Sequence, residues 1–260
     1  MESGIGSNKD WGSEKAYLHS TRQYLWNNDY FEFLVKCVWK IDKPVKIIDL
    51  GCGYGYLAQM LLPLVPEGSS YKGIDISEEL IVEANEIFSD CKAEACFEVS
   101  DINDYESDAE YDIAICQAVL RHLNNPGDIL KKMIGFVKDN GLVICIEPNR
   151  RMENAGIFID NRTYDPFENE GFLKQRWLSE EHSGGRDYQV GMKVPVLMKK
   201  LGLKNIGVRI NDYVDFISAD NESFEAEKRR FIRDYGLDSK YSDSKSFLAA
   251  RCHVISFGYK

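Results

Sequence analysis

Short apolar runs alternate along this chain with longer stretches whose apolar residues recur every three or four positions. Val45, Ile47, Ile48 and Leu50 make the first run. A near-continuous apolar run of this length predicts a strand covered on both faces. Gly51, Gly53 and Gly55 follow at spacing two. Glycine tolerates positive φ and lets a ligand lie against the backbone, so a tight turn is predicted there. A helix begins near Tyr54, with Leu57, Met60 and Leu61 on one side, and Pro63 ends it near Leu62.

The same rhythm then repeats. Residues 71–76 read as a second strand ending in Asp75, and Ser77 is placed to cap the next helix, with Glu78 and Glu79 in its first turn. Leu80, Ala84, Ile87 and Phe88 form that helix's buried stripe. A third strand spans 95–99, and Ser100-Asp101-Ile102 follow it. A fourth spans 111–116, with Gln117 to Leu123 at its carboxyl end. Asn125 and Pro126 open a helix carrying Ile129, Met133 and Phe136 inward, and Asn140-Gly141 stop it. Residues 142–146 are the fifth strand. Strands alternating with helices predict a parallel sheet with right-handed crossovers.

The flanks read differently. Residues 16–40 are dense in aromatics, and Phe31, Leu34, Val35 and Val38 recur at helical spacing, so one or two helices precede the first strand. After the fifth strand the rhythm breaks into a polar, aromatic-studded stretch with Phe158, Tyr164, Phe167, Phe172 and Trp177. Long insertions at such a position are usually lids or binding segments. This one is read as an acceptor-binding cap, with Gly184-Gly185 as a hinge and Glu147, Arg150, Arg151, His182 and Arg186 as its polar candidates. Val194, Leu197, Met198 and Leu201 mark a helix whose regular part Pro195 limits and Gly202 ends. A sixth strand fits 203–210 and a last one 253–259. Between them Phe224, Phe231, Ile232 and Tyr235 share a helix face, and Glu227 to Arg230 are its wet side. The organisation expected is 1–40 N-terminal helices, 41–147 ligand-binding core, 148–190 cap, and 191–260 the rest of the same sheet.

Bulk properties narrow the function classes. The 260 residues, 44% of them hydrophobic, suit one α/β domain with insertions. A formal net charge of −10 repels phosphate backbones, so no nucleic-acid partner is expected. Seven scattered cysteines, without a C-x-x-C pair, point to reduced thiols and a cytoplasmic setting. Cysteines and histidines lack zinc-ligand spacing, so no metal is expected. No apolar run approaches the length of a membrane span. The polar N-terminus lacks a signal-peptide core. The partner expected is a small-molecule acceptor, with the oligomeric state left open.

The glycine turn admits two chemistries. The dinucleotide fingerprint G-x-G-x-x-G/A requires Gly or Ala at its sixth position, where this chain has Tyr56. The pattern Asp-x-Gly-x-Gly-x-Gly is matched without a gap by Asp49, Gly51, Gly53 and Gly55. It resembles motif I of the class I S-adenosylmethionine-dependent methyltransferases of the small-molecule, UbiE-like type. S-adenosyl-L-methionine carries a sulfonium and an ammonium and no phosphate, so a nearby carboxylate complements it. An NAD(P)-dependent oxidoreductase and a non-catalytic S-adenosylmethionine-binding module are the alternatives.

The resemblance implies a Rossmann-like, seven-stranded, mostly parallel sheet with helices on both faces. Its antiparallel seventh strand should lie between the fifth and sixth. N-terminal helices and a cap inserted after strand five complete it. Asp75 lies 24 residues after Gly51, near the spacing at which an acid meets adenosine ribose hydroxyls. Ile76 beside it joins the cofactor set. By the same resemblance Asp101 meets the adenine amino group, and the backbone N–H of Ile102 a ring nitrogen. Ligands of open parallel sheets bind outside the strands' carboxyl ends, which makes Gln117 a contact of the methionyl part. Arg22, with Tyr17 or Tyr24, is placed to pair with the methionyl carboxylate. His122 is the candidate acid–base group facing the acceptor. Displacement at a sulfonium needs mainly alignment, so a catalytic triad is not expected.

Overall fold

The computed structural model describes residues 12–22, 24–91, 94–149, 152, 157–160, 187–235 and 243–260. Two short helices come first, α1 (Lys15–Arg22) and α2 (Asn28–Phe33), the second continuing as a π-helical turn over Leu34–Val38. Then follow β1 (Lys46–Leu50), α3 (Tyr56–Leu61), β2 (Ser70–Asp75), α4 (Glu78–Phe88), β3 (Glu94–Val99) and β4 (Tyr111–Gln117). Next come α5 (Pro126–Phe136), β5 (Val137–Pro148), β6 (Ile157–Ile159), α6 (Val190–Lys200) and β7 (Lys204–Ile210). The last elements are β8 (Val214–Ser218), α7 (Phe224–Tyr235), β9 (Ser246–Ala250) and β10 (His253–Tyr259).

Seven strands form one sheet in the order β3-β2-β1-β4-β5-β10-β7. β1 to β5 pair in parallel, and β10 runs antiparallel between β5 and β7. This is the expected Rossmann-like sheet with its reversed strand in the expected place. The apolar run of β1 explains itself by period two. Ile47 packs with Phe31, Leu34, Leu57, Leu61 and Ile81, from the helices on one face. Ile48 and Leu50 pack with Leu130, Met133, Val194 and Met198, from α5 and α6 on the other. Each of those three β1 residues is fully buried.

The structure corrects three sequence readings. α5 stops at Phe136, short of Asn140-Gly141. Val137 pairs with Tyr111, so strand pairing claims the residue that helical periodicity would have kept. Asn140 instead takes φ 64 within β5. α6 begins at Val190 and holds Pro195 inside it. Burial of Val190, Val194 and Met198 against the sheet outweighs the one N–H that proline lacks.

The third correction is a second sheet. β6, β9 and β8 form an antiparallel sheet in that order. β6 comes from the stretch read as lacking a strand period. α7 covers one face of this sheet, with Phe224 and Phe231 against Ile159, Ile217, Phe247 and Ala249. Arg230 on α7 clamps Asp215 of β8 through two bonds of 2.9 and 2.8 Å. The candidate cap residues Arg150, Arg151, His182 and Arg186, and the Gly184-Gly185 hinge, lie outside the described residues.

Candidate active site

A cavity of ≈ 500 Å³ opens at the carboxyl edge of the main sheet. Asp49, Gly51, Gly53, Asp75, Ile76, Asp101, Ile102 and Gln117 all line it, and so do Arg22 and His122. They come from the ends of four strands, from α1, and from the loop after β4. The sheet thus brings together ten of the eleven residues assigned from the sequence to the cofactor or to catalysis.

The glycine turn is built by its backbone. Gly51 has φ 75, and its N–H donates to the Ile74 carbonyl at 2.8 Å. A Cβ on Gly51 would stand 2.5 Å from a Val119 methyl. Only glycine satisfies both the positive φ and that approach. Gly55, the eleventh residue, does not line the cavity. It caps α3 with φ 79 and lies under Phe88 and Phe97, so its role is conformational.

Asp75 sits at the tip of β2 and is 9% exposed. Its Oδ2 accepts the Gly53 N–H at 2.8 Å and its Oδ1 the Ser77 N–H at 2.9 Å. Each carboxylate oxygen keeps a second lone pair, so the side chain is fixed and can still receive two hydroxyls. Burial raises its pKa, against the pull of the Ser77, Gly53 and Ile76 N–H groups. Ser77 caps α4 as expected, accepting from the Leu80 N–H. Asp101 is held by the N–H and side-chain amide of Asn103, both at 2.8 Å on Oδ1.

Asp49 lies deeper. Its Oδ2 accepts the Tyr71 hydroxyl, while its Oδ1 is buried without a protein hydrogen-bond partner. Burial pushes its pKa up to about 7, opposed by the Tyr71 bond and the Arg22 charge and reinforced by Asp75. The Gln117 Nε2 is likewise buried and unpartnered. Native proteins rarely leave such atoms unsatisfied without a reason. An orphan acceptor and an orphan donor in one cavity suit a ligand that presents both a cation and an acceptor oxygen.

The loop after β4 is set by Glu147, at the buried end of β5. Its Oε1 accepts the N–H groups of Val119 at 2.9 Å and Leu120 at 2.7 Å. Burial drives its pKa to about 7, although those N–H bonds and the Arg121 charge pull it down. Glu147 is therefore a positioning group for the Gln117–His122 segment rather than a polar residue of a cap. The preceding residue pattern held a hint, since an acid that closes an apolar strand is buried at its end. In the same loop Arg121 Nε donates to His122 Nε2 at 2.9 Å, which places the ring proton on Nδ1.

Arg121, Arg251 and His253 also line the cavity and were not read from the sequence. Arg251 and His253 flank the start of β10. An antiparallel strand brings its first residues to the edge where parallel strands end, so β10's reversal was the available signal.

This edge defines an α/β protein with a carboxylate-lined, nucleoside-sized socket. The chain belongs to the family described as "Methyltransferase domain", whose model matches residues 41–188. It is similar to ubiquinone biosynthesis O-methyltransferase of Rickettsia felis, 30% identical over 106 residues, covering 41% of this chain and 42% of that protein. It is also similar to malonyl-[acyl-carrier protein] O-methyltransferase of Acetivibrio thermocellus, 32% identical over 97 residues, 37% of this chain and 33% of that one. In both cases the matched stretch spans less than half of the relative's length. The fold matches phosphoethanolamine N-methyltransferase 2 of Haemonchus contortus, solved with phosphomonomethylethanolamine and S-adenosylhomocysteine. The TM-score is 0.61 at 14% identity, over 98% of this chain and 60% of that one.

Proposed function

We propose that this protein transfers a methyl group from S-adenosyl-L-methionine to a small-molecule acceptor. The observation that carries this reading is Asp75, locked by the Gly53 and Ser77 N–H groups at the tip of β2, facing a phosphate-hostile socket. Asp49 and Asp101 line the same socket. Three carboxylates there oppose a pyrophosphate, and Tyr56 stands where a dinucleotide site needs a small residue. Both points favour the methyl donor over NAD(P).

The roles follow from position. Asp75 receives the ribose hydroxyls, with Ile76 beside it on the purine side. Asp101 and the Ile102 N–H face the adenine edge. Gly51 and Gly53 let the methionyl chain pass over the backbone. The orphan Asp49 Oδ1 meets the ammonium, while the Gln117 amide and Arg22 meet the carboxylate.

When bound, S-adenosyl-L-methionine supplies an electrophilic methyl and a neutral thioether leaving group. The chain's own work is alignment, which is worth up to roughly 7–11 kcal/mol in favourable cases. His122 is the group at hand to accept an acceptor's proton. Its Nε2 is engaged by Arg121, so that bond must open first. Arg121 therefore holds the imidazole in readiness rather than in reaction.

Among the described residues no helix is long and apolar enough to cross a membrane. All seven cysteines are free, which supports a cytoplasmic setting. Two measurements test the reading. In calorimetry, S-adenosylhomocysteine should bind and NAD should not. Labelled methyl should then pass from S-adenosyl-L-methionine to a member of a metabolite panel. NAD binding in place of S-adenosylhomocysteine would overturn the assignment. Cofactor binding with no transfer across a broad panel would favour a non-catalytic module.

A further inference from the structure

Asp49 and Tyr71 stand on neighbouring strands, and the pleat of the sheet decides that they meet. β1 and β2 pair in parallel, with Ile47 opposite Tyr71 and Asp49 opposite Gly73. Side chains alternate along a strand, so these four positions share one face. Gly73 offers Asp49 no side chain, and the space beside it is already filled. A Cβ there would stand 2.6 Å from Phe97 and 2.8 Å from the Cys52 sulfur. The group that reaches Asp49 from β2 therefore comes from one pleat earlier: the Tyr71 hydroxyl donates to Asp49 Oδ2.

The pair is withdrawn from water. Tyr71 is 2% exposed and Asp49 1%. The Tyr71 ring is set in the core on that face, tilted against Phe97 with centroids 6.1 Å apart. The other charged and titratable groups acting on Asp49 are Asp75 on β2, Arg22 on α1, Cys52 in the glycine turn and Cys116 on β4. Burial holds the Tyr71 hydroxyl and the Cys52 thiol well above their usual ranges, and the Cys145 hydrogen bond together with burial does so for Cys116. All three stay protonated at neutral pH, so the hydroxyl is a donor throughout. Burial lifts the Asp49 pKa to about 7, and the Tyr71 bond opposes that rise more strongly than the Arg22 charge does. A hydrogen bond donated to a carboxylate favours its charged form, where burial alone disfavours it.

We propose that Tyr71 is a positioning residue for cofactor binding: its hydroxyl holds one oxygen of Asp49, leaves the other for the ligand, and stabilises the charged form that a cationic ligand needs. This rests on the methyltransferase reading above, which sets the cofactor's ammonium at Asp49. Tyr71 itself touches no ligand and does not line the cavity. It acts through Asp49, by orientation and by charge. Oδ1, the oxygen without a protein hydrogen-bond partner, is the one that remains for the ammonium. Tyr71 thereby sets the pH range over which the cofactor binds.

The test reads Asp49 directly and then through the cofactor. In the ligand-free chain labelled with carboxyl-13C aspartate, the Asp49 resonance is followed against pH, assigned by its loss in Asp49→Asn. Tyr71→Phe keeps the ring and removes only the hydroxyl. It should move the Asp49 midpoint upward by roughly one to two pH units, the weight of a hydrogen bond to a charged group. S-adenosylhomocysteine affinity is then measured by calorimetry from pH 6 to pH 8. At pH 7 Tyr71→Phe should bind roughly tenfold more weakly than the parent. Between pH 7 and pH 8 its affinity should still climb where the parent's levels off. In an Asp49→Asn background, which has no carboxyl to titrate, Tyr71→Phe should add no pH dependence. A tyrosine with only a packing role would lower affinity by one factor at every pH and leave the Asp49 midpoint in place, and that result would overturn the proposal. So would the same pH shift with and without the Asp49 carboxyl. A parent that ignores S-adenosylhomocysteine at every pH would strike the methyltransferase reading, while the resonance titration would still decide whether Tyr71 governs the Asp49 charge.

Discussion

The carboxyl edge of β1, β2 and β4 and the small β6-β9-β8 sheet bury their residues for different ends. At the edge, backbone amides are spent on carboxylates: Gly53 and Ser77 on Asp75, Val119 and Leu120 on Glu147. Orphan polar atoms remain there on Asp49 and Gln117. In the small sheet, Phe231, Phe247 and Ala249 are fully buried among apolar neighbours. Asp215 there is matched by both Arg230 donors. One region is polar and open to a ligand. The other is a packed support that presents Arg251 to the same cavity from β9's end. The difference separates stability from binding, and variants should divide accordingly.

The largest effect belongs to the support. Phe231→Ala removes a fully buried ring and should cost about 3–5 kcal/mol of stability. Chemical denaturation would measure it, while S-adenosylhomocysteine affinity of the folded fraction stays within about twofold. A large loss of that affinity would join the two regions into one cooperative unit.

Gly51→Ala probes the edge. It forces a Cβ into positive φ and to 2.5 Å from Val119, costing about 2–4 kcal/mol from strain and overpacking together. Cofactor affinity should fall with it, since Val119 must move and carries the β4 loop. Unchanged affinity and stability would show that the turn is looser than its geometry.

The smallest effect is a pH dependence. Asp49 in the folded protein has a pKa of about 7, against an ordinary 3.8, and Glu147 also reaches about 7 from 4.5. Both folded carboxyls hold protons more tightly than unfolded ones. Their contribution to stability is thus full below the ordinary values and declines as pH rises to about 7. A cationic cofactor prefers ionised Asp49, so binding below pH 7 must expel a proton. Affinity for S-adenosylhomocysteine should therefore rise up to about tenfold per unit approaching pH 7, then level off. Asp49→Asn should flatten the profile. A flat parent profile would remove Asp49 from the ammonium.

Much of this edge was legible because glycine and aspartate carry backbone demands that sequence displays. Positive φ at Gly51 and the acid closing β2 are local features, so spacing located them. A parallel sheet covered on both faces was legible because a run such as Ile47-Ile48 needs cover on both sides, while the place of the reversed strand was legible only through the resemblance to the methyltransferases. The support was less so. β6 spans only Ile157–Ile159 and is defined by its pairing with β9, nearly a hundred residues on, which no local period records. The end of α5 at Phe136 was decided by β4, again from a distance. Glu147 looked like the first polar residue of a cap because its partners are backbone N–H groups, which leave no mark in sequence. Arg251 and His253 reach the cavity only through the reversal of β10.

The central claim is that the β1–β2 edge binds the adenosyl moiety of a phosphate-free cation through Asp75. Its most direct test is titration of S-adenosylhomocysteine into the parent and into Asp75→Ala by calorimetry. The parent should bind, and the variant should lose roughly 100-fold, about 3 kcal/mol, for two hydroxyls deprived of a charged acceptor. A parent that gives no heat of binding, or a variant that binds as tightly as the parent, would contradict the account.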